Sequence, residues 1–337
     1  MEWTFIIPVG SVGLTREVGY EYKVDRVTFV HKEKLPPEVA KGHPKFFEQA
    51  ETFAVVRETG TPDEIEHQCL ELVREECSIL SLSQLGYVPK SRRMRPIVPG
   101  GGVGIPSLPF LAVNHGDKRR SLQKHSALLP VPELYLDGRW KSWQDTVFFT
   151  NLLAILQGER EVDACWREDL RRASLMVGEC VGTEDLLKSF IWNWGALETV
   201  LTRRGEWRTG KKLPKRVRAL LYWVFYSESA GDDKKASQEV YDWWTKKYDD
   251  RINDVYDKRN RLLHNGEREC VAALDLEFTD HLLVNIFTNL LRFPQVFRSK
   301  AEVIKFADEI EKNRSQGVSP RQRPLDFMFV GSFHTGF

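Results

Sequence analysis

The longest helical pattern of the chain ends in Tyr256-Asp257-Lys258-Arg259-Asn260-Arg261-Leu262-Leu263-His264-Asn265-Gly266. This pattern opens near Ser237, and its apolar residues recur at helical spacing. Asn265-Gly266 is a typical stop signal, because glycine readily takes the left-handed backbone that ends a helix. The sequence therefore predicts a long amphipathic helix with polar residues in its last turns. Its apolar face carries Val240, Trp244, Tyr248, Ile252, Val255 and Leu262.

Further helical patterns lie on both sides of this helix. Five or six successive helices joined by short loops are typical of a helical bundle, and we assign residues 141–314 to one. Good N-cap residues mark two of the starts, at Thr183 and at the Ser299 capping box. Four of the predicted helices have both bounds, 143–157, 164–180, 274–293 and Ser299 to Asn313. For three more the sequence gives a start, at Thr183, Pro214 and Ser237.

The first part of the chain, residues 1–140, mixes strand and helix signals. Short β-branched and aromatic runs predict strands over 3–9, 18–31 and 52–57. Thr61-Pro62-Asp63-Glu64 is typical of a helix start, and that helix is expected to reach Leu82. The predicted fold class is therefore α+β: an N-terminal mixed α/β domain, with a sensory or regulatory role, followed by a C-terminal all-α helical bundle.

Two segments show no such periodicity. Residues 90–109 are rich in glycine and proline but lack the Gly-Lys-Ser/Thr ending of a phosphate-binding loop, so we interpret them as a flexible loop. Residues 315–337 begin as a polar link and continue into Phe327-Met328-Phe329-Val330. We expect this tail to pack back on the body as an edge strand.

Composition argues against several classes of protein. The 337 residues carry a formal net charge of +1, so any surface that attracts nucleic acid must be local. Five cysteines without a CxxC pair argue against a zinc ribbon or a disulfide scaffold and favour a reducing, cytoplasmic compartment. The N-terminus lacks the features of a signal peptide, and no apolar run reaches about 18 residues, the length of a membrane span. We expect no metal and no cofactor.

The last turns of the long helix carry residues suited to metal-free RNA cleavage. A histidine such as His264 can move a proton near neutral pH, and Arg259 can stabilise charge that grows on a phosphate. The spacing by itself is weak, since Arg26 and His31, and Arg120 and His125, repeat it. We place the first repeat on a strand, where residues five apart point to opposite faces, and the second in a loop.

Helix geometry separates the two candidate residues. Asn260 and His264 are four positions apart and lie on one face, which Tyr256 continues. Arg259 and His264 are five apart, so their side chains diverge by about 140°. Either the long arginine wraps round the helix, or the helix loosens near its end.

A basic segment follows the predicted helix that begins at Thr183. Between residues 203 and 218 the only acidic residue is Glu206. Such a segment attracts phosphate in a salt-dependent way, or it is a solvated surface, and both readings stay open. Its candidate RNA-binding residues are Arg203, Arg204, Arg208, Lys211, Lys212 and Lys215, followed by Arg216 and Arg218. Core or dimer-interface positions, rather than base stacking, are expected for Trp192, Trp194, Trp243 and Trp244.

Over residues 145–300 the chain resembles the HEPN superfamily, and within it the Apea-like HEPN proteins of bacterial defence. Two pieces carry the resemblance: Trp194-Gly195-Ala196-Leu197-Glu198, and the stretch 256–266 with its Arg-Asn-x-x-x-His signature. The resemblance implies a metal-independent endoribonuclease that works as a homodimer through the signature helix. Arg259 and His264 would be the catalytic pair, Asn260 the polar residue that accompanies them, and Glu198 a supporting carboxylate.

Three hypotheses follow. The favoured one is a HEPN ribonuclease in anti-phage abortive infection, a toxin that cuts RNA, with tRNA as one candidate substrate, after a phage-derived or protein trigger acts on residues 1–140. The alternative is a non-catalytic HEPN module that binds RNA or a protein partner. The third is a different enzyme housed in the N-terminal half, where we find no nucleophile–base pair and no metal cluster.

Overall fold

The computed structural model divides the chain into two compact units, Met1–Asp145 with Val177–Thr183, and Thr146–Met176 with Glu184–Phe337. The first is built on an antiparallel sheet and the second is helical, so the expected mixed α+β class is confirmed. The structure describes residues 2–48, 50–94, 96, 110–114, 121–123, 132–203, 205–206, 212–229 and 234–315. The segment 97–109 and the tail 316–337, with their predicted loop and edge strand, lie outside these residues.

The described part of the first unit contains a six-stranded sheet in the order β3-β4-β5-β1-β6-β7, in which every neighbouring pair is antiparallel. Two further strands, β2 and β8, form a separate parallel pair. The strands are β1 (Glu2–Val9), β2 (Val12–Leu14), β3 (Glu21–Lys23), β4 (Thr28–His31), β5 (Thr52–Thr59), β6 (Leu111–Asn114), β7 (Ser121–Gln123) and β8 (Leu134–Leu136). The helices are α1 (Pro37–Gly42), α2 (Pro44–Phe47), α3 (Pro62–Leu82) and α4 (Gly138–Thr146).

Alternation along the strands explains how the sheet is covered. Ile6 on β1 pairs with Val55 and Leu111 on its two neighbours, and on this face Ile6 and Leu111 join a core cluster with Phe46 and Phe47 from α2. Successive strand residues point to opposite faces, so Phe5 belongs to the other face and packs on Phe110 at 5.4 Å. The sheet is therefore buried on both faces by apolar side chains.

Two of the strand and helix predictions for this unit need comment. The start of α3 at Pro62 and its end at Leu82 are confirmed. The single strand expected over 18–31 is wrong: β3 and β4 form a hairpin whose turn holds Arg26. A backbone N–H in that turn, at Asp25, donates to the buried carboxylate of Glu76 at 2.9 Å, which stabilises the reversal.

Among the described glycines, Gly178 makes the closest approach to another backbone. A Cβ built on it would overlap the backbone carbonyl of Ser78 on α3. A backbone atom cannot swing aside as a side chain can, so the approach requires glycine.

We expect Gly178→Ala to lower the free energy of unfolding by about 2 kcal/mol or more, because overpacking must displace α3. The measurement is urea denaturation followed by circular dichroism. Gly42→Ala is the matched control, since Gly42 is also the last residue of a helix but has open space around its Cα. Equal stabilities of the two variants would contradict the close approach.

The second unit is helical throughout its described part. Its helices are α5 (Phe149–Leu156), α6 (Ala164–Gly178, which ends in the first unit), α7 (Leu186–Leu201), α8 (Lys212–Ser229), α9 (Lys234–Asn265), α10 (Ala273–Arg292) and α11 (Lys300–Ser315). α10 packs against α5, α7 and α8, and α11 packs against α7 and α8. None of the described helices combines the length and apolarity needed to cross a membrane.

Two predicted helix bounds are wrong. The helix expected over 143–157 is two helices, which end at Thr146 and begin at Phe149, and both residues of the break, Val147 and Phe148, are buried. α7 begins at Leu186 rather than near Thr183, because the Asp185 carboxylate caps it by accepting from the Lys188 N–H at 3.0 Å.

The other starts differ less. α8 begins at Lys212, two residues before Pro214, which is tolerated because the first N–H groups of a helix have no partner within it. α9 begins at Lys234 rather than Ser237, since Lys-Lys-Ala extends a helix well. The capping box at Ser299 is confirmed: its hydroxyl accepts from the Glu302 N–H at 3.3 Å, and the Glu302 carboxylate accepts in return at 3.0 Å.

α10 is the core helix of this unit, buried along nearly its whole length, and it carries polar residues that are paired. Asn193 on α7 donates to the Asp280 carboxylate at 2.7 Å. Arg251 and Lys258 on α9 hold the buried Asp275 carboxylate at 2.8 and 3.0 Å. Buried charges and amides are costly unless paired, so these contacts fix where α7 and α9 lie along α10.

His281 on α10 makes the stability of this unit depend on pH. Burial lowers the pKa of His281 to about 4, from about 6.5 in the unfolded chain. Between these values the unfolded chain binds a proton that the folded chain does not, so stability falls as the pH drops from 6.5 towards 4.

We expect the loss of stability between pH 7 and pH 4.5 to be smaller by about 2 kcal/mol in His281→Leu than in the wild type. Urea titrations of helical circular dichroism at both pH values measure this difference. His264→Leu is the control, because His264 is an exposed histidine of the same unit. An unchanged pH dependence in His281→Leu would show that His281 is not buried in its neutral form.

Candidate active site

The end of α9 is regular as far as Asn265. Gly266 takes a φ of 70°, and its N–H donates to the carbonyl of Leu262 at 3.1 Å, which is the left-handed cap expected from Asn265-Gly266. The helix therefore does not loosen before His264. Neither possibility open from the sequence occurs: the helix stays regular, and Arg259 pairs with Glu198 on α7 instead of wrapping round towards His264.

Arg259 turns inward onto α7. Its Nη2 lies 2.5 Å from Oε1 of Glu198, a residue 61 positions earlier in the chain. Its Nη1 donates to Oδ1 of the neighbouring Asn260 at 3.0 Å. The Arg259 side chain is 15% exposed and that of Glu198 33%. The structure thus brings together Glu198, Arg259 and Asn260, three of the four candidate catalytic residues.

Two aromatic residues support this cluster. The guanidinium carbon of Arg259 lies 5.7 Å from the ring centre of Tyr256. The Tyr256 ring in turn meets that of Trp194 edge to face at 5.2 Å. Trp194 is fully buried, so the expectation that it belongs to the core is confirmed. Trp192 is half-buried. The side chains of Trp243 and Trp244 are outside the described part of the chain, so their predicted roles stay predictions.

Burial also controls the protonation of Tyr256. Burial raises the pKa of its phenol, and the carboxylate of Glu198 raises it further, against the lowering effects of Arg259 and of a hydrogen bond from Asn260. Tyr256 is therefore a neutral phenol at physiological pH. The sequence marked it only as a residue on the same face as Asn260 and His264.

His264 lies apart from this cluster. It is exposed in the last turn of α9, next to Leu263, which is 43% exposed. The regular helix keeps its side chain about 140° from that of Arg259. One protomer therefore presents an arginine held on α7 and a histidine open to solvent.

Helix α10 explains why α7 and α9 meet at this point. Asn193, five residues before Glu198, is paired to Asp280, and Lys258, next to Arg259, is paired to Asp275. Asp275 also accepts from the Ala272 N–H at 2.7 Å, which caps α10. The buried helix thus sets the register that brings the Glu198 carboxylate to the guanidinium of Arg259.

The basic segment divides into two groups. Arg203, Lys212 and Lys215 are exposed, and Glu206 accepts from the Arg203 N–H at 2.9 Å and from Lys212 Nζ at 3.2 Å. Arg204, Arg208 and Lys211 lie outside the described residues. The exposed members remain available to a polyanion.

Arg216 and Arg218 do not belong to that surface. Arg216 is 1% exposed and binds Glu206 and Asp308, each at 2.7 Å, and the carbonyl of Leu201 at 2.8 Å. This arginine and its hydrogen bonds hold the pKa of Glu206 down at about 2. Arg218 pairs with Glu311. Packing uses these two cations internally, so they do not add to a basic surface formed by the candidate RNA-binding residues.

The two other Arg-x4-His copies differ in context. Arg26 lies in the turn between β3 and β4 and pairs with Glu75 at 3.7 Å, while His31 ends β4, so the strand expected to carry both is interrupted. Arg120 and His125 lie outside the described residues. Among the described residues no cluster of three or more metal-ligating side chains occurs, and all five cysteines are free.

Comparison with known proteins gives no relative. No protein-family model matches the chain, and no curated protein or solved structure is significantly similar to it. The resemblance to HEPN proteins thus rests on the residues quoted for it.

We expect Arg216→Met to lower the free energy of unfolding by about 3 kcal/mol or more, because it removes the buried cation that Glu206 and Asp308 share and the donor of the buried Leu201 carbonyl. Lys215→Met, one residue earlier and exposed, should change it by less than about 0.5 kcal/mol. Chemical denaturation of both variants measures the difference. Similar effects at the two positions would mean that Arg216 is not the buried anchor of this segment.

Proposed function

We propose that this chain is an Apea-like HEPN endoribonuclease that cleaves RNA without a metal and acts as a homodimer. The observation that carries the proposal is the contact between Arg259 and Glu198. Both were singled out from sequence pieces about 60 residues apart, and they meet at 2.5 Å in a half-buried position beside Asn260. An arginine oriented by a carboxylate and an amide suits a phosphate that gains charge in the transition state.

The reaction needs a base and an acid besides this arginine. One histidine takes the proton of the ribose 2′-OH as that oxygen attacks the adjacent phosphorus. A second, protonated histidine gives its proton to the 5′-oxygen as the P–O bond to it breaks. The products are a 2′,3′-cyclic phosphate and a 5′-hydroxyl. DNA is not cleaved, since it lacks the 2′-OH.

A second copy of the chain supplies the missing histidine. In one protomer His264 is exposed and diverges from Arg259 by about 140°, so one copy offers neither two histidines nor an arginine beside its own histidine. Two signature helices related by a two-fold axis bring two histidines and two arginines to one cleft.

The exposed basic residues give RNA a path to this cleft. Arg203 lies five residues after Glu198, just beyond the C-terminal end of α7, and Lys212 and Lys215 lie in the first turn of α8. Cations placed next to a site bind phosphates of the flanking strand. In this proposal the enzyme acts in the cytoplasm during abortive infection, and the first unit receives a phage-derived or protein trigger.

One observation favours the alternative, a non-catalytic module that binds RNA or a protein. Glu198 neutralises Arg259 in the single protomer, while His264 stays apart from the cluster. A chain that never dimerises would keep this arrangement. Sedimentation with and without RNA separates the alternatives, because only the ribonuclease requires a dimer.

We expect the wild-type chain to cut single-stranded RNA or tRNA in EDTA, and Arg259→Ala and His264→Ala each to lower kcat/KM by about 100-fold or more. Cleavage is followed on labelled RNA, and the ends are mapped for cyclic phosphate. Toxicity of the expressed chain should fall in parallel.

The matched controls are Arg268→Ala, an exposed arginine after α9, and His67→Ala, an exposed histidine on α3. Both should cleave as the wild type does. Cleavage that survives Arg259→Ala and His264→Ala would rule out the proposed catalytic pair, and RNA binding without any cleavage would favour the non-catalytic module.

A further inference from the structure

We propose that Tyr256 is a positioning residue of this site, which holds the Arg259 guanidinium and the Asn260 amide in the orientation that a phosphate meets. The effect of Tyr256 on kinetics rests on the function proposed above. The contacts from which the positioning role is inferred do not depend on that function. They are the ring contact of Tyr256 with Arg259 and the edge-to-face contact of Tyr256 with Trp194.

The ring supports the arginine where hydrogen bonds do not. A guanidinium has five N–H bonds. One goes to Glu198 and one to Asn260, and the Nε–H is buried without a hydrogen-bond partner among the described residues. Two N–H bonds of the terminal nitrogens are then left for a ligand oxygen. The aromatic face of Tyr256 is a contact that Arg259 keeps while those two bonds engage a phosphate.

The hydroxyl completes a chain of hydrogen bonds. Arg259 Nη1 donates to Oδ1 of Asn260, whose amide lies one turn after Tyr256 on the same face of α9, and a hydrogen bond from Asn260 is one of the causes that lower the pKa of the phenol. An amide with one acceptor and one donor committed has a defined orientation. The hydroxyl therefore sets the orientation of the Asn260 amide. The oriented amide in turn holds one side of the Arg259 guanidinium.

Tyr256 is itself held by the core. It is 8% exposed and meets the fully buried Trp194 edge to face at 5.2 Å. Trp194 lies one turn before Glu198 on α7, so a single helix positions both the ring that supports Tyr256 and the carboxylate that binds Arg259. The phenol contacts no reacting atom in this scheme and acts only through Arg259 and Asn260.

The first test measures the arginine directly and needs no activity. In the full-length chain labelled with ¹⁵N, the Arg259 Nε–H resonance is assigned by its loss in Arg259→Lys. We expect Tyr256→Leu to increase the exchange of this proton with water by about tenfold or more, because the ring that packs on the guanidinium is gone. Tyr256→Phe keeps the ring and should leave the exchange within about twofold of the wild type.

The second test is kinetic. We expect Tyr256→Phe to lower kcat on RNA by about fivefold, because it removes a neutral hydrogen bond. Tyr256→Leu also removes the cation–π contact and should lower kcat by about 30-fold. KM should change little in both, because exposed basic residues elsewhere bind the RNA and Arg259 acts mainly on transition-state charge.

Tyr248 provides the matched control. It lies two turns earlier on α9, is 9% exposed, and packs on Phe278 and His281 rather than on Arg259. Tyr248→Phe and Tyr248→Leu should leave the Arg259 resonance and kcat of the folded fraction unchanged, whatever they do to thermal stability. A residue needed only for packing would give the same pattern at both positions.

The outcomes separate this inference from the proposed function. If Tyr256→Leu leaves the Nε–H exchange as in the wild type, or if Phe and Leu at 256 lower kcat equally, Tyr256 does not position Arg259. If the exchange responds as expected but the wild type cuts no RNA as monomer or dimer, the positioning stands and the ribonuclease proposal fails.

Discussion

Burial of a helix that carries charge is the constraint on which the second unit depends. α10 is enclosed along nearly its whole length, yet it contains Asp275 and Asp280. Each carboxylate needs partners, and the partners lie on different neighbouring helices. Asp280 binds Asn193 of α7, and Asp275 binds Arg251 and Lys258 of α9. Apolar faces alone would allow α7 and α9 to slide by a turn, whereas paired charges do not.

The candidate site is a consequence of that pairing. Once α7 and α9 are fixed along α10, Glu198 and Arg259 meet, and the rings of Trp194 and Tyr256 pack beneath them. The same geometry leaves His264 on the solvent side of α9. Arg259 and His264 thus point in two different directions from one helix. Because they do not face one site within a protomer, the proposed chemistry needs a second protomer.

Local sequence signals predicted helix ends correctly where the contacts that form the end lie within a few residues. The left-handed cap at Gly266, the capping box at Ser299 and the start of α3 at Pro62 all depend on near neighbours, and each was predicted. The predictions failed where packing competes with local preference. The helix expected over 143–157 is interrupted at the buried pair Val147 and Phe148, and the hairpin at Arg26 depends on Glu76, which is some 50 residues away.

Charge was the least predictable property. Arg216 and Lys215 are adjacent cations in one basic run, and nothing in their types distinguishes them. In the structure one is buried between Glu206 and Asp308 and the other is exposed. A helix turns by 100° per residue, so neighbours in sequence face different surroundings, and only the position of α11 decides which cation is used internally.

The sequence by itself determined the α+β class, the long helix that ends at Gly266, and the identity of Glu198, Arg259, Asn260 and His264 as candidates. These follow from periodicity, stop signals and residue chemistry, all of which act over short stretches of chain. Only the tertiary structure decided that Glu198 reaches Arg259, that Tyr256 lies under the guanidinium, and that His264 stands apart. Those relations depend on how α7, α9 and α10 pack, and packing is set by buried charge pairs between residues distant in sequence.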